Sequence, residues 1–395
     1  MKFLLVHNFY QQQGGEDAVF ELEKNLLMAA GHQVSEYGRH NSEIEKYGIW
    51  PKATLGLRAI WAWDSVRELR RVLRRERPDL AHFHNTFPLI SPAAYYACRE
   101  EGVPVVQTLH NYRLLCPAGS LFRSGHTCEE CLEHSLWRAV HYGCYRGSRS
   151  ATVPVALMQA VHRRKQTWTH MVDCYIAPTE FARKKLIEAR LPADKIIVKP
   201  NFVHPDPGLR DGPGEYVLFI GRLSPEKGLR TLLAAWERLG NRIPLSIIGD
   251  GPLRATLKFE ASQHGLSTIS FEGHRTNSET IAALKRARCL AFPSEWYETF
   301  GRTVAEAFAC GVPVLASRHG VMEEIVENGR TGLHFTPADP DDLAEKVDWA
   351  WTHPHRLEEM GREARVEYEA KYTAERNYEM LMRIYHQAIA IRRAA

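Results

Sequence analysis

The sequence predicts an α/β protein with two Rossmann-like domains, each a parallel sheet covered by helices on both faces. The chain has 395 residues, a length that suits two hydrophobic cores better than one. Short aliphatic runs alternate with helical patterns in both halves, as they do when helices join parallel strands. A segment rich in proline and glycine separates the halves, so we expect a domain boundary there.

Both halves show the same alternation of candidate strands and helices. In the first half the candidate strands are 2–7, 33–37, 80–84, 104–110 and 175–178, with helices near 17–30, 64–77 and 179–190. In the second half the candidate strands are 216–221, 245–249, 269–273, 290–293 and 313–316, with helices between successive strands.

The boundary lies in the segment 199–214, which holds four prolines and three glycines in 16 residues. We therefore predict a first domain over 1–205 and a second over 206–372. The segment 373–395 has a helical pattern with Tyr378 and Tyr385 on one face, which predicts a C-terminal helix that packs back on the first domain.

Composition and charge narrow the class of protein. The chain is 44% hydrophobic and 25% charged, which is typical of globular domains. The apolar run after Lys2 is too short for a signal peptide, and no run approaches the roughly 20 apolar residues of a membrane-spanning helix. We therefore expect a cytoplasmic protein with reduced cysteines. Residues 1–205 hold 27 Lys and Arg against 20 Asp and Glu, so the first half is where we look for an anionic partner.

Ligands of open parallel sheets bind at the carboxyl ends of strands, so the loops after the strands are the candidate sites. Gly14 and Gly15 follow the first strand, where backbone N–H groups could approach an anion; a glycine pair that only turns the chain is the alternative. Arg222 and Lys227 flank the turn after the first strand of the second half. They could clamp a diphosphate, or they could be two solvated surface charges.

Two glutamates bracket a strand–glycine–helix junction in the second half. Glu298 precedes Gly301, and Glu306 lies in the second turn of a helix that begins near Arg302. One carboxylate could reach a sugar and the other a ribose diol, while the helix N-terminus holds a diphosphate between them. The loop 249–252, Gly-Asp-Gly-Pro, is interpreted as an architectural turn.

Together with His84-Asn85, the segment 108–117 and the glycine-containing segment 311–332, these loops resemble family 4 glycosyltransferases of the GT-B fold, in which two Rossmann-like domains face each other across a cleft. The resemblance covers nearly the whole chain. It implies a retaining enzyme, independent of a divalent metal, that moves a hexose-type sugar from a nucleotide-diphosphate donor, such as a UDP- or GDP-sugar, to an acceptor hydroxyl. The family's common task implies that the acceptor is a growing surface glycan or a polyprenyl-diphosphate-linked sugar.

The resemblance also implies roles for individual residues. The catalytic group would be Glu298, His110, Arg222 and Lys227. The donor would be bound by Gly14, Gly15, Arg222, Lys227, Glu298, Phe300, Gly301, Arg302, Thr303 and Glu306. Within this set, Arg222 and Lys227 would hold the diphosphate, Glu306 the ribose, and His110 the donor sugar near its reacting carbon. Val321 departs from the family, which often has a second glycine after Gly320.

No pair of carboxylates resembles the acid and nucleophile of a retaining glycosidase, so Glu298 is interpreted as a binder. By the resemblance, the leaving phosphate itself takes the proton of the acceptor. The alternatives are a phosphorylase or a nucleotide-sugar epimerase on the same fold, or a non-catalytic nucleotide-sugar-binding protein. A dinucleotide oxidoreductase is disfavoured because neither first-strand loop reads G-x-G-x-x-G.

A loop-like insertion at about 111–150 in the first domain contains four of the eight cysteines. Cys116, Cys128, Cys131 and Cys144 have the spacing C-x11-C-x2-C-x12-C, which is compatible with a structural zinc site. Reduced free thiols or a redox pair are the alternatives, because the outer spacings form no second C-x2-C. The other cysteines are expected in the cores.

A run of arginines near the end of the first quarter of the chain predicts a basic helix: Arg67, Arg70, Arg71, Arg74, Arg75 and Arg77. With Trp61, Trp63 and Leu69 it could lie against an anionic membrane surface, on the inner face of the cell membrane, although a solvated face is the commoner explanation. The basic groups 163–165 and 183–185 are consistent with such a surface. Their aromatic spacing is unlike that of nucleic-acid-binding proteins, so no nucleic acid partner is expected.

Overall fold

The structure, a computed structural model, describes residues 1–11, 14–46 and 55–394. These form two units, each with its own internal packing. The first unit consists of Met1–Leu121, Cys128–Asn201 and Asn377–Ala395, and the second of Phe122–Thr127 and Phe202–Arg376. The boundaries predicted from the sequence were 205/206 and 372/373, and the units divide at 201/202 and 376/377, four residues away in each case.

The strands are β1 (Lys2–Phe9), β2 (Gln33–His40), β3 (Leu80–Phe83), β4 (Val105–Thr108), β5 (Phe122–Arg123), β6 (His126–Thr127), β7 (Cys174–Ala177), β8 (Ile196–Val198), β9 (Tyr216–Ile220), β10 (Leu245–Ile248), β11 (Ile269–Gly273), β12 (Ala287–Phe292), β13 (Val314–Ser317) and β14 (Gly332–Phe335). Strands β5 and β6 form a two-stranded antiparallel hairpin.

The helices are α1 (Gly15–Ala29), α2 (Leu55–Ile60), α3 (Trp63–Glu76), α4 (Ala94–Glu100), α5 (Glu130–Glu133), α6 (Trp137–Tyr142), α7 (Arg149–Arg164), α8 (Thr167–His170), α9 (Glu180–Glu188), α10 (Leu229–Leu239), α11 (Arg254–Gln263), α12 (Asn277–Arg286), α13 (Arg302–Ala309), α14 (Met322–Ile325), α15 (Pro340–Thr352), α16 (Pro354–Lys371) and α17 (Ala374–Ala394). Within the described ranges, none is long and apolar enough to cross a membrane.

The first unit contains a parallel sheet in the order β2-β1-β3-β4-β7-β8. Strand β1 lies between β2 and β3, with Leu5 opposite both Glu36 and His82. Phe3, Leu5 and other apolar side chains of the sheet pack against one face of α17, through Leu381, Tyr385 and Ala388. From β1 the chain adds β2 on one side and β3 on the other, so the strand order reverses between β1 and β3. The carboxyl ends of these two strands mark the crevice in which ligands of such sheets bind.

The second unit contains a parallel sheet in the order β11-β10-β9-β12-β13-β14. Counted within this sheet the order is 3-2-1-4-5-6, which is the Rossmann order. Helix α10 buries Trp236 and its leucines against the sheet, and Leu343 and Val347 of α15 pack beside it. The order reverses between β9 and β12, which places the candidate crevice of this unit after Ile220 and after Phe292.

Candidate functional site

The two loops at the reversal point of the second unit lie side by side. Gly228 ends the loop after β9 with a left-handed φ of +67°, and a Cβ there would meet the carbonyl oxygen of Pro293 at 1.8 Å. The backbone N–H of Glu295 donates to the carbonyl oxygen of Glu226 at 2.9 Å. The loop that carries Arg222 and Lys227 is therefore in direct contact with the loop that leads to Glu298.

This contact brings Lys227 and Glu298 together. The Lys227 ammonium lies 2.5 Å from Oε1 of Glu298, and the hydroxyl of Ser294 donates to the same oxygen at 2.8 Å. Lys227 also lies 5.2 Å from the centre of the Trp296 ring. The Glu298 residue is 8% exposed. Its carboxylate is thus held by a cation and a hydroxyl at the edge of the crevice. The hydrogen bond from Ser294 was not predicted from the sequence.

Glu306 is held in a similar way one helix turn inside α13. Its carboxylate accepts from Nε of Arg302 at 2.9 Å, and the residue is 5% exposed. Gly301 precedes the helix with φ +92°, a left-handed conformation that glycine adopts without strain. The first backbone N–H groups of α13 therefore begin directly after a glycine turn, where a diphosphate could be bound.

The remaining predicted donor residues differ in how they can reach a ligand. Phe300 is 3% exposed and its ring packs near Tyr372, so its side chain is not available to a ligand. Arg222 is exposed and forms none of the ion pairs found in the described part of the chain. Val321 is buried with φ −62° and ψ −27°, so valine fits there without backbone strain.

The loop 249–252 supports the Arg222 loop from behind. The N–H of Leu223 donates to the carbonyl oxygen of Asp250 at 2.9 Å, and a Cβ on Gly251 would meet Leu223 backbone atoms at 2.5 Å. Its glycines permit this close approach of two backbones, which agrees with the architectural interpretation.

In the first unit, His110 lies just beyond β4 and beside β3. Nε2 of His110 lies 3.0 Å from Nδ1 of His84, the residue that follows β3. The N–H of Asn8 donates to the carbonyl oxygen of Asn85 at 3.0 Å, which joins the ends of β1 and β3. Burial lowers the pKa values of His84 and His110 well below the usual range, so both imidazoles are neutral at pH 7.

The glycine pair lies at the start of α1 in the same unit. Gly14 is the N-cap residue with φ −112°, and its N–H donates to Asp17 at 2.6 Å. A Cβ on Gly15 would meet nothing within 4 Å. Neither position demands glycine for its own conformation, so the open space beside Gly15 is compatible with the predicted approach of a ligand.

Sequence reasoning missed the buried polar residues beneath His110. Glu23, His82 and Lys199 are each no more than 1% exposed, and the Lys199 ammonium lies 2.7 Å from Oε1 of Glu23. A signal for this cluster was present in the sequence, because His82 and His84 alternate with apolar residues in a candidate strand of a parallel sheet. Such strands are buried on both faces, so polar side chains in them need buried partners.

The four cysteines of the insertion are all unbridged, with Cys116 and Cys131 buried. Burial and then the nearby thiols of Cys116, Cys144 and Cys128 raise the pKa of Cys131 to about 12. Within the ranges the structure describes, the one group of three potential ligand atoms mutually within 4.8 Å is Glu23, His82 and His84, so the cysteine sulfurs do not form such a group. The zinc site stays a prediction.

Helix α3 carries the predicted arginine run, but its apolar side belongs to the core. Leu69 and Leu73 are buried, so they are not available to a membrane. Arg70 pairs with Glu100, and Arg74 with Glu101 at 2.9 Å. Trp63, by contrast, is 73% exposed.

Comparison with known proteins agrees with this geometry. Residues 203–367 match the family model Glycosyl transferases group 1, and residues 13–207 match Glycosyltransferase Family 4. The chain is 34% identical over 165 residues to D-rhamnosyltransferase WbpZ of Pseudomonas aeruginosa, covering 41% of this chain and 42% of that protein. It is 31% identical over 308 residues to glycogen synthase of Mycobacterium tuberculosis, covering 74% of this chain and 64% of that protein. The aligned part thus spans less than two thirds of either relative.

Solved structures agree over nearly the full length. Anabaena Alr3699/HepE in complex with UDP superposes with a TM-score of 0.69 at 18% identity, covering 97% of this chain and 99% of that one. Sucrose-phosphate synthase from Thermosynechococcus elongatus gives a TM-score of 0.72 at 17% identity, covering 99% and 100%. Identities this low support the fold alone. With the two family models, they show that the chain belongs to the group 1, family 4 glycosyltransferases and has the GT-B fold of two Rossmann-like domains.

Proposed function

We propose that the protein is a retaining glycosyltransferase that moves a hexose-type sugar from a nucleotide-diphosphate sugar to an acceptor hydroxyl. The observation that carries the proposal is the contact between the loops after β9 and β12. It gathers Arg222, Lys227, Glu298 and the start of α13 at the reversal point of one Rossmann sheet. Cations, a helix N-terminus and buried carboxylates together suit a ligand with a diphosphate and sugar hydroxyls.

In this proposal the cations stabilise the leaving diphosphate. Negative charge grows on the phosphate as the bond to the sugar breaks, and Arg222, Lys227 and the first N–H groups of α13 would offset it. Glu298 accepts from Lys227 and Ser294, so both contacts favour a carboxylate that binds and orients over one that attacks the sugar. The leaving phosphate would take the acceptor proton, and no divalent metal would be needed.

The test is thermal unfolding against a panel of UDP-, GDP- and ADP-sugars. A ligand at 100 times its Kd adds about 2.7 kcal/mol to stability, which is a shift of several degrees in Tm. We expect one nucleotide class to shift the wild type, and the shift to disappear in Arg222→Ala and Glu306→Ala. Arg230→Ala, which removes an exposed arginine at the start of α10, is the matched control and should keep the shift. If no nucleotide stabilises the folded wild type, the proposal fails.

Turnover separates this proposal from its alternatives. A phosphorylase would release sugar phosphate from a glycan with inorganic phosphate and no nucleotide sugar, and an epimerase would change the donor without any acceptor. A transferase requires an acceptor, and a retaining one gives a product of the same anomeric configuration as the donor, which NMR of the product reports. A chain that binds the donor but shows none of these reactions would be a binding protein.

We further propose that the acceptor is a surface glycan or a polyprenyl-diphosphate-linked sugar and that the first unit contacts an anionic membrane. Support comes from relatives: WbpZ is a D-rhamnosyltransferase, and the Escherichia coli relative, 29% identical over 172 residues, is an O-antigen chain mannosyltransferase. On this unit, Leu57 and Trp63 are 67% and 73% exposed, and the Lys165 ammonium lies 5.6 Å from the centre of the Trp61 ring. Aromatic and basic side chains of this kind are typical of membrane interfaces.

Co-sedimentation with vesicles tests this surface. We expect binding to vesicles with anionic lipid and none to neutral ones, and loss of binding in Trp63→Ser combined with Lys165→Ser. Trp137→Ser, which changes another exposed tryptophan of the same unit, is the control. Equal binding by both variants would contradict the membrane contact without affecting the donor site.

A further inference from the structure

A chain of buried polar groups leads from Lys199 to His110 inside the first unit. The Lys199 ammonium contacts Oε1 of Glu23 at 2.7 Å and Asn377 at 3.1 Å. Oε2 of Glu23 lies 3.5 Å from Nε2 of His84, and Nδ1 of His84 lies 3.0 Å from Nε2 of His110. Glu23 and the His84 side chain are fully buried. Among these groups, the family resemblance assigns a role toward the donor sugar only to His110, which leaves the purpose of the others open.

A metal ion does not account for this cluster. Glu23, His82 and His84 have ligand atoms close enough to share an ion, but the Lys199 ammonium already lies against the Glu23 carboxylate as its cation. Both ring nitrogens of His82 are engaged by hydroxyls, Nδ1 by Tyr385 at 2.8 Å and Nε2 by Thr108 at 2.7 Å. Binding an ion would break these contacts.

The two atoms that face each other between Glu23 and His84 decide the tautomer of His84. Oε2 of Glu23 and Nε2 of His84 are both buried, and neither has a hydrogen-bond partner within the part of the chain that is described. A carboxylate oxygen can only accept. If Nε2 of His84 carried no proton, two lone pairs would oppose each other without water, so the proton belongs on Nε2.

The tautomer of His84 in turn decides the tautomer of His110. A neutral His84 with its proton on Nε2 has only a lone pair on Nδ1, and this nitrogen must accept from its partner. The two rings lie 17° from parallel with centres 5.2 Å apart, while the nitrogens are only 3.0 Å apart. The distance between the two nitrogens is shorter than the distance between two stacked ring faces. It therefore indicates an in-plane N–H···N hydrogen bond. The proton between them therefore comes from Nε2 of His110.

We propose that Glu23 and His84 are positioning residues that hold His110 in the Nε2–H tautomer, with Nδ1 as its hydrogen-bond acceptor. In this tautomer Nδ1 of His110 carries a lone pair and accepts hydrogen bonds. This inference rests on the proposed function for the role of His110 toward a sugar, but the tautomer itself belongs to the unliganded chain. A carboxylate that fixes a catalytic imidazole in this way controls which nitrogen is available for chemistry.

NMR of the full chain labelled with 15N-histidine tests the tautomers without any substrate. Long-range 1H–15N spectra separate protonated from bare ring nitrogens, and His84→Gln and His110→Gln identify the two residues among the 19 histidines. We expect both residues to be protonated at Nε2 and bare at Nδ1. A proton on Nδ1 of either ring, or a charged ring at pH 7, would overturn the proposal.

The variant Glu23→Leu with Lys199→Met removes the carboxylate without leaving a buried ammonium unpaired. We expect the His84 and His110 nitrogen signals to move toward mixed tautomers. In turnover we expect kcat to fall by about tenfold or more with the KM for the acceptor unchanged, since only orientation is lost. Asp173→Asn with Arg392→Met, which removes another buried ion pair of the same unit, is the matched control and should leave these signals in place.

The outcomes separate this inference from the proposed function. If the tautomers are as expected but no nucleotide sugar is bound, the proposed function fails and the inferred network stands. If donor binding is found but His110 carries its proton on Nδ1, the inference fails and the proposed function stands. Retention of the fixed tautomers in Glu23→Leu/Lys199→Met would likewise contradict the role assigned to Glu23.

Discussion

Gly228 is the single residue on which the contact between the two donor loops depends most directly. Its φ of +67° and the position of the Pro293 oxygen, 1.8 Å from an added Cβ, exclude a side chain in this arrangement. A non-glycine residue in the left-handed conformation costs about 1–2 kcal/mol, and displacement of the Pro293 loop adds to that. We expect Gly228→Ala to lower the free energy of unfolding by more than this cost and to abolish the thermal shift with the nucleotide sugar.

Gly265 provides the matched comparison for this prediction. It follows the C-terminal end of α11 with φ +65°, but an added Cβ would meet nothing within 4 Å. Gly265→Ala should therefore show only the conformational cost, about 1–2 kcal/mol by urea unfolding, and keep donor binding. Equal destabilisation by the two variants would mean that close packing against Pro293 contributes nothing.

At the residue scale, residues that follow strands could be placed near one another from the sequence, whereas the ion pair buried in the first unit could not. Arg222, Lys227, Glu298 and Glu306 all lie after strands that the aliphatic pattern marks. Glu23 and Lys199 could not, because they are 176 positions apart in the chain and their pairing depends on how α1 and β8 meet the sheet. The pattern of residues along a sequence predicts local structure, whereas a buried ion pair depends on the tertiary fold.

Among the elements, α17 has the clearest energetic role in the first unit. Leu381, Ile384, Tyr385 and Ala388 are buried in the same core as Phe3 and Leu5. Truncation of a buried leucine to alanine costs roughly 2–5 kcal/mol. We expect Leu381→Ala to destabilise the first unit by this amount, measured by chemical denaturation. Gln387→Ala on the exposed face of the helix should change stability by less than about 0.5 kcal/mol, and a similar loss in both variants would contradict the packing role.

The cysteine segment carries an element-scale prediction of metal content. If Cys116, Cys128, Cys131 and Cys144 bind structural zinc, native mass spectrometry of protein purified without chelator should show one zinc ion per chain. Cys131→Ser should lose the ion and Cys98→Ser, which changes a buried thiol outside the segment, should keep it. A metal-free wild type with all four thiols reactive would leave reduced thiols as the correct alternative.

Elements with an aliphatic run, an alternation or a helical period were predicted. The candidate strand 269–273 coincides with β11, and the C-terminal helix pattern corresponds to α17. Length alone did not decide, since β3 and β13 have four residues and were predicted. Strand β8 was missed because three residues are too few for a period to be counted, and β14 because Gly-Leu-His-Phe contains no aliphatic run. Helix α7 was not predicted because Pro154 lies inside it, and Pro disfavours a helix interior. The segment 111–150 was interpreted as a loop, but it contains α5, α6 and the hairpin β5–β6.

For the whole molecule, the distribution of buried histidines predicts that the two units respond differently to acid. His7, His82, His84 and His162, the buried histidines of the described chain, all belong to the first unit. Burial lowers the pKa of His82 to about 4, with the Glu23 carboxylate opposing the shift and the Lys199 ammonium adding to it. The pKa values of His84 and His110 are also lowered, chiefly by burial.

Proton uptake determines whether acid stabilises or destabilises the first unit. An unfolded histidine titrates near pH 6.5, so below that pH the unfolded first unit binds protons that the folded unit excludes. The stability that the neutral buried histidines contribute is fully present above pH 6.5 and is lost as the pH falls toward 4. For His82 alone this loss is about 3 kcal/mol in the free energy of unfolding. We expect hydrogen exchange, corrected for its intrinsic pH dependence, to show β3 and β4 losing protection between pH 6.5 and 4.5 while β9 and β12 stay protected. His82→Gln should reduce this dependence, because an amide can contact Tyr385 or Thr108 without titrating. Simultaneous loss of protection in both units would instead place the acid-sensitive groups outside this buried cluster.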